Sequence, residues 1–404
     1  MTKNNLNCIY HFNSPTINFS TAEGKYYKNL QEILNEEGNA ISEVEFKSQI
    51  KKEVSKFINN SFDNIFVLAG AGSSIVVGQP YGKTVSQIAK AIYDELNRNE
   101  DLFDLQDIAV KCNYDICPLD TNSNDFNQEF NLEDFLSNLL TYGSFYLSKI
   151  KDENGTIKEK FTRSKKKILD LIKEHTQYSF NEEFMKHGTL LQVLTKMVSP
   201  PSKLAIITTN YDTLFEEASE KFEFTVIDGF TFSENPYFDS DLFDWNFIRE
   251  IPNVKTREVE YKRKIIDLLK IHGSLTWEHD ENNKVRRKNK CEVENPIMIF
   301  PSTNKYTQSY EAPYFDLLSK FQECLRKPNT LLLTIGFSFA DNHIATMIMQ
   351  AIKRNKSLNL LVSDFNISQT HSNWKELEKL RDTQFQVAFV KATLNNDLMD
   401  YVGE

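Results

Sequence analysis

Four short segments carry residue types that do chemistry. Thr208-Thr209-Asn210-Tyr211-Asp212 sets a neutral amide two residues from a carboxylate, directly after the apolar run Leu204–Thr208. His272-Gly273-Ser274 follows the apolar run Ile265–Ile271 and supplies an imidazole, whose ordinary pKa of about 6.5 suits proton abstraction near neutrality. Gly70-Ala71-Gly72-Ser73-Ser74 follows Asn64–Ala69, and Gly336-Phe337-Ser338 follows Leu331–Ile335. Glycines at such a strand-to-helix turn let the backbone approach a pyrophosphate, which free N–H groups then hold. Each segment alone has a plainer reading: Asn210 and Asp212 could cap the next helix, His272 could be structural, and the first glycine loop could be a bare turn. Their joint position after strand-like runs favours chemistry.

The elements that position them follow from hydrophobic pattern. Short continuous apolar runs rich in branched residues read as strands buried on both faces of a parallel sheet. They occur at Asn64–Ala69, Leu204–Thr208, Phe224–Ile227, Ile265–Ile271, Pro296–Phe300, Leu331–Ile335, Leu358–Val362 and Phe385–Phe389, each followed by a helical pattern. This alternation predicts a doubly wound, Rossmann-like α/β sheet, in which ligands bind beyond the carboxyl ends of the strands where strand order reverses. Two segments depart from it. Residues 85–197 read as a helical insertion, with the acidic-apolar stretch Asn131–Ser137 and the basic piece Arg163–Lys167. Residues 1–60 read as a polar arm and two amphipathic helices, near Tyr26–Asn35 and Glu43–Asn59, that cover a sheet edge or a neighbouring subunit. Residues 61–404 then form the main domain. Glu278–Cys291 is highly charged and reads as a solvated hairpin tip.

Composition limits the alternatives. The 404 residues carry 47 Lys and Arg against 57 Asp and Glu, a net charge of −10, which argues against a general nucleic-acid binder. At 40 % apolar and 26 % charged the chain can bury a sizeable core. No apolar stretch approaches the roughly 20 residues of a bilayer span. The N-terminal residues lack an apolar core followed by a small-residue cleavage site, so the expected location is cytoplasmic. Cys8, Cys112, Cys117, Cys291 and Cys324 form no CxxC pair, so neither disulfides nor a structural zinc is expected. A dinucleotide GxGxxG would need glycine where Ile75 stands. Gly78-Gln-Pro-Tyr-Gly82-Lys83-Thr84 has three residues between its glycines where a triphosphate loop needs four, and Pro80 removes a donor.

The ordered set Gly70–Ser73, Thr208–Asp212, His272–Ser274 and Gly336–Ser338 resembles the GAGxS, TQNxD, HG and GTS motifs of the sirtuin superfamily, over roughly residue 61 to the C-terminus. The resemblance implies binding of NAD⁺ and cleavage of its nicotinamide–ribose bond. Gly70, Ala71, Gly72 and Ser73 would hold the pyrophosphate, with Thr208 and Thr209 beside them. Gly336 and Ser338 would contact the adenosine side, and Asp364 the adenine ribose. Asn210 would meet the nicotinamide ribose or the attacking water, Asp212 would orient the carboxamide, and His272 would be the general base. Protein-deacylating sirtuins carry four zinc-binding cysteines after the HG motif; here only Cys291 and Cys324 follow it. That departure, the long Asn210–His272 segment and the helical insertion make the chain resemble bacterial antiphage domains that hydrolyse NAD⁺ without zinc. Resemblance to sirtuin-like partners of HerA-type ATPases further implies a homo-oligomer bound to a hexameric ATPase, with restraint by the insertion or the N-terminal arm. The competing readings are a protein deacylase or ADP-ribosyltransferase, a non-catalytic nucleotide sensor, and a metal-dependent nuclease using Glu260-Tyr-Lys262 and Asp239–Asp244.

Overall fold

The computed structural model describes residues 8–79, 81–120, 125–127, 129–150, 155–252, 258–298 and 313–403. Its frame is an eleven-stranded sheet. In chain order the strands are β1 (Ile9–Asn13), β2 (Asn18–Ala22), β3 (Lys25–Lys28), β4 (Gln31–Glu32), β5 (Asn64–Ala69), β6 (Leu204–Thr208), β7 (Thr225–Ile227), β8 (Ile265–Lys270), β9 (Thr330–Ile335), β10 (Leu358–Asp364) and β11 (Val387–Lys391). They lie side by side as β4-β3-β2-β1-β11-β10-β9-β5-β6-β8-β7, and the seven from β11 to β7 are parallel.

Alternate residues of a strand face opposite sides, and β5 shows the consequence. Phe66 and Leu68 enter one core with helices α8 (Tyr314–Arg326), α9 (Asn342–Arg354) and α10 (Ser372–Thr383). Ile65, Val67 and Ala69 enter the other, beneath α1 (Glu43–Ile58), α6 (His187–Met197), α7 (Leu214–Lys221) and α11 (Leu398–Val402). From β5 the chain winds one way to β6, and from β9 the other way to β10. The β5/β9 boundary is therefore the point where strand order reverses and a crevice opens.

Helix α1 starts at a capping box between Ser42 and Glu45 and buries Phe46, Ile50, Val54 and Ile58 at four-residue spacing. Each contributes about 1.5–3 kcal/mol by leaving water. The other helix expected in this region, near Tyr26–Asn35, is instead a hairpin of β3 and β4. Asn29 and Leu30 take φ of 51° and 65°, which reverse the chain in two residues. Residues 1–7 of the expected polar arm lie outside the described residues; the rest contains β1 and β2, and β1 continues the sheet antiparallel to β11. The described N-terminal extension is thus a set of strands followed by one helix rather than two helices, because cross-strand pairing outweighs the local helical pattern at residues 25–32.

Helices α2 (Val85–Asn97), α3 (Leu105–Lys111), α4 (Leu132–Lys149) and α5 (Thr156–Thr176) build a core of their own around Ile92, Ile108, Phe135 and Phe161. Helix α6, placed in the same insertion by the sequence, instead packs Leu190, Leu191 and Leu194 on the main sheet. The described part of the run Pro296–Phe300, Pro296–Met298, does not join the parallel sheet: Ile297–Met298 pairs antiparallel with Gly273–Ser274, and residues 299–300 lie outside the described residues. Gly273 makes this possible: at φ of 95° it brings the Ile297 carbonyl so close that a Cβ would collide with it. The charged segment 278–291 contains most of a hairpin, Trp277–His279 against Val285–Arg287. No helix among the described residues is long and apolar enough to cross a membrane.

Candidate active site

Two glycine loops meet backbone to backbone at the β5/β9 boundary. Gly70 N–H donates to Ile335 O at 3.0 Å, and Gly72 N–H to Gly336 O at 3.0 Å. A Cβ on Gly72 would sit 2.7 Å from Gly336 Cα, and Gly336 itself has φ of 56°, so no side chain fits in this contact. Ser73 N–H returns to Gly70 O at 2.9 Å. Three of the loop's amides are therefore used within the loops, and Ala71 N–H makes no such bond among the described residues.

The carboxyl end of β6 inserts its side chains under this loop. Ala69 O accepts from Thr209 N–H and from Thr208 Oγ1, both at 3.1 Å. Asn210 Nδ2 donates to Gly70 O at 3.1 Å, to Ser73 Oγ at 3.1 Å and to Ser74 Oγ at 2.9 Å. Ser74 Oγ donates in turn to Asp212 Oδ2 at 2.7 Å, while Asp212 Oδ1 accepts from Leu214 N–H at 3.2 Å and so ties the first turn of α7. Asn210 is held by its nitrogen, and its Oδ1 has no partner among the described residues. The Tyr178 hydroxyl reaches both Ser74 and Asp212, and burial beside that carboxylate pushes its pKa upward.

Below this network lies a buried ion pair. Lys270, the last residue of β8 and 2 % exposed, bonds Glu216 Oε1 at 3.0 Å and the Asp212 carbonyl. Burial raises the Glu216 carboxyl, against the pull of Lys270.

His272 begins the turn after β8, next to β6, as Ile271 N–H donating to Thr208 O at 3.0 Å shows. Its Nε2 lies 3.4 Å from Asp341 Oδ2, and both side chains are buried. Asp341 comes from the turn after β9, with β5 and β6 standing between β9 and β8. Three strand spacings are about 14 Å, so the 336–341 turn leans across the β5 and β6 loops to reach the imidazole. Asp341 Oδ1 also caps α9, accepting from His343 N–H at 2.8 Å and Ile344 N–H at 3.1 Å.

On the far side of the boundary, Gly336 N–H donates to Ser363 O at 3.0 Å. Asp364 follows; its Oδ1 accepts from Asn366 N–H at 2.9 Å, and burial raises its carboxyl from the ordinary range to about 6. Ser338 is exposed, and its carbonyl lies 2.9 Å from His371 Nε2.

All the site residues singled out in the sequence thus lie at one pole of the sheet. Asn210, Asp212 and Ser73 share one hydrogen-bonded cluster, His272 stands beside it, and Ser338 and Asp364 are set across the boundary. Sequence reasoning missed five partners. Lys270 had a visible signal, a cation closing an apolar strand; Ser74 closed the first glycine segment, and Asp341 lies three residues beyond Ser338. Tyr178 and Asn395 had none; Asn395 Nδ2 straps the loop by donating to Ser73 O and Ile75 O, each at 2.9 Å. The triphosphate-loop imitation resolves into a helix start, since Thr84 caps α2 in a capping box with Gln87. Lys83 Nζ lies 3.1 Å from His175 Nδ1. Among the described residues no group of three or more His, Cys, Asp or Glu could hold a metal ion.

Residues 204–381 match the model of the SIR2-like domain, from the start of β6 into α10. The match supports a sirtuin-like family for this part of the chain, and with it NAD-related activity in general. No curated protein matches the chain. The Gly70–Ser74 loop lies outside the matched residues, and its hydrogen bonds to Asn210 and Asp212 join it to them.

Proposed function

We propose that the chain is an NAD⁺ hydrolase that cleaves the nicotinamide–ribose bond and releases nicotinamide and ADP-ribose. One observation carries the reading: Asn210 is locked by its amide nitrogen to the Gly70–Ser74 loop while its Oδ1 stays free, beside a histidine backed by a carboxylate. Departure of nicotinamide takes the electron pair of the glycosidic bond and leaves an oxocarbenium-like ribose. A dipole already oriented toward that charge stabilises the transition state without reorganising. Asn210 Oδ1 is such a dipole, and can also accept from a ribose hydroxyl or the attacking water. Water then bonds to the ribose carbon, and its proton passes to His272. With Nε2–H directed at Asp341, Nδ1 is the ring nitrogen that accepts it. The pyrophosphate would lie over Ala71, with Gly72 N–H exchanging Gly336 O for a phosphate oxygen. Asp212 would orient the carboxamide, and Gly336, Ser338 and Asp364 the adenosine.

The same reading extends to biology: NAD⁺ depletion in antiphage defence, by a homo-oligomer acting with a hexameric HerA-type ATPase. It rests on the resemblance of the motifs. The test is NAD⁺ turnover by the purified chain, alone and with such an ATPase, following nicotinamide and ADP-ribose. Release of both in equal amounts, lost in Asn210→Ala and His272→Ala, is expected. Nicotinamide released with the ADP-ribosyl group left on a protein acceptor would replace hydrolysis with transfer. No turnover in any assembly, with NAD⁺ still bound, would leave a sensor.

A further inference from the structure

The amino ends of the same strands hold a second site. A cavity of about 320 Å³ opens between the start of β6, the start of β8 and the end of α6. It adjoins a second cavity of about 300 Å³, with which it shares Pro201, Ser202, Lys203 and Asn246. The volume is at the lower end of the range for small-molecule sites, roughly 300–1,000 Å³. It does not overlap the cluster around Asn210, which lies beyond the opposite ends of the strands.

The floor is apolar, formed by Leu204, Phe224 and Ile265, all under 10 % exposed, with Val198 beside them. Five cations line the walls and no carboxylate does. Two of the five are committed elsewhere. Lys203 Nζ pairs with Asp267 at 2.8 Å and donates to Phe243 O and Trp245 O, each at 2.8 Å. Lys264 turns to Phe222 O at 3.1 Å and to Glu223 at 3.5 Å. Lys196, Lys262 and Arg263 are exposed and have no ion-pair partner among the described residues. In a chain of net charge −10, three unpaired cations around an apolar floor form a local reversal of sign, which concentrates anions at the mouth.

We propose that this cavity binds a small amphipathic anion, with its apolar body on the Leu204–Phe224–Ile265 floor and its acid group on Lys196, Lys262 and Arg263. A free phosphate would leave the floor unfilled, and a neutral apolar molecule would leave the cations unused. The half-buried Tyr261 ring closes one wall beside the body. Carboxylate and phosphate heads both satisfy the rim, since lysine takes either as a point charge and arginine takes either through its fork.

The test uses the full chain and 8-anilinonaphthalene-1-sulfonate, an aromatic anion that fluoresces when desolvated. Saturable one-to-one binding, weakened by salt, is expected. Octanoate should displace the probe, and inorganic phosphate at the same concentration should not. The exposed pair Lys262→Glu/Arg263→Glu should weaken binding about tenfold or more, a change of roughly 1.4 kcal/mol. Gln192→Trp, on an exposed wall position, should block the cavity without touching the charges. Circular dichroism checks that both variants remain folded. Equal affinity in wild type and the charge-reversed pair would overturn the proposal, as would displacement by phosphate alone. A change in sedimentation of the charge-reversed pair with probe affinity retained would also overturn it, and assign this face to contacts between copies of the chain. The readout needs no NAD⁺ turnover, so it stands or falls apart from the catalytic reading.

Discussion

Each pole of the parallel sheet contains one buried lysine tied to a carboxylate and to main-chain carbonyl oxygen, and the two differ in what that carbonyl belongs to. At the carboxyl ends Lys270 holds Glu216 and the carbonyl of Asp212, a residue whose side chain is bonded to Ser74 and through it to Asn210. At the amino ends Lys203 holds Asp267 and the carbonyls of Phe243 and Trp245, which belong to the excursion beside the cavities. Burial raises both carboxylates, Asp267 to about 6. The same device therefore fixes the Asn210–Asp212 cluster at one pole and only a wall at the other. A site that acts on developing charge needs its dipoles set in advance, whereas an anion-binding rim works with cations left in water.

The sharpest break of this comparison is to remove each lysine. Lys270→Met and Lys203→Met should each cost up to about 3–5 kcal/mol in denaturant unfolding, since each leaves a partly buried carboxylate unpaired. They should part in function: folded Lys203→Met keeps its NAD⁺ turnover, and Lys270→Met loses it with the Asp212 backbone. Equal turnover in the two would mean that the ion pair does not position the site. Asn210→Ala should lower turnover about 10²–10³-fold, with a much smaller effect on folding; retained turnover would move catalysis away from the cluster.

Asp341→Asn isolates the positioning of His272. Asparagine caps a helix as well as aspartate does, so α9 should be unaffected and the melting temperature nearly unchanged. Turnover should fall about tenfold, less than the roughly 10²–10⁴-fold expected for loss of the base itself, with KM for NAD⁺ unchanged and the pH–rate profile displaced. A changed KM with an unmoved profile would make Asp341 a cap and nothing more.

The smallest effect is at Asp364. Its carboxyl is raised from 3.8 to about 6 by burial, so ionisation is disfavoured in the folded state and stability falls as pH rises between those values. Asp364→Asn should therefore gain stability above pH 6 and none below pH 4, as thermal melting at the two pH values reads. If the carboxylate holds the adenine ribose, KM for NAD⁺ in the native chain should rise as pH falls through about 6, and the variant should lose that dependence.

Much of this was legible in the chain. The seven parallel strands, and the positions of Asn210, Asp212 and His272 just after two of them, follow from apolar runs and turn residues, which are local and survive without knowledge of neighbours. The hairpin at residues 25–32 was misread because Tyr26, Tyr27 and Leu30 also fit a helical stripe. Only pairing to β2, and through it to β1 and β11, selected strand. The run at Ile297–Met298 was apolar enough for the core, yet Gly273 recruited it into a separate ladder.

What the tertiary structure alone decided are contacts between residues far apart in sequence. Ser74 meets Asp212 across 138 positions, Asn395 meets Ser73 across 322, and Asp341 reaches His272 across the two strands, β5 and β6, that strand order puts between β9 and β8. The amino-pole cavity is of the same kind, with walls from α6, β6 and the segment before β8. Periodicity and turn chemistry act over a few residues and are written in the sequence. Strand order depends on which buried surfaces fit, and that is settled only when the whole sheet packs.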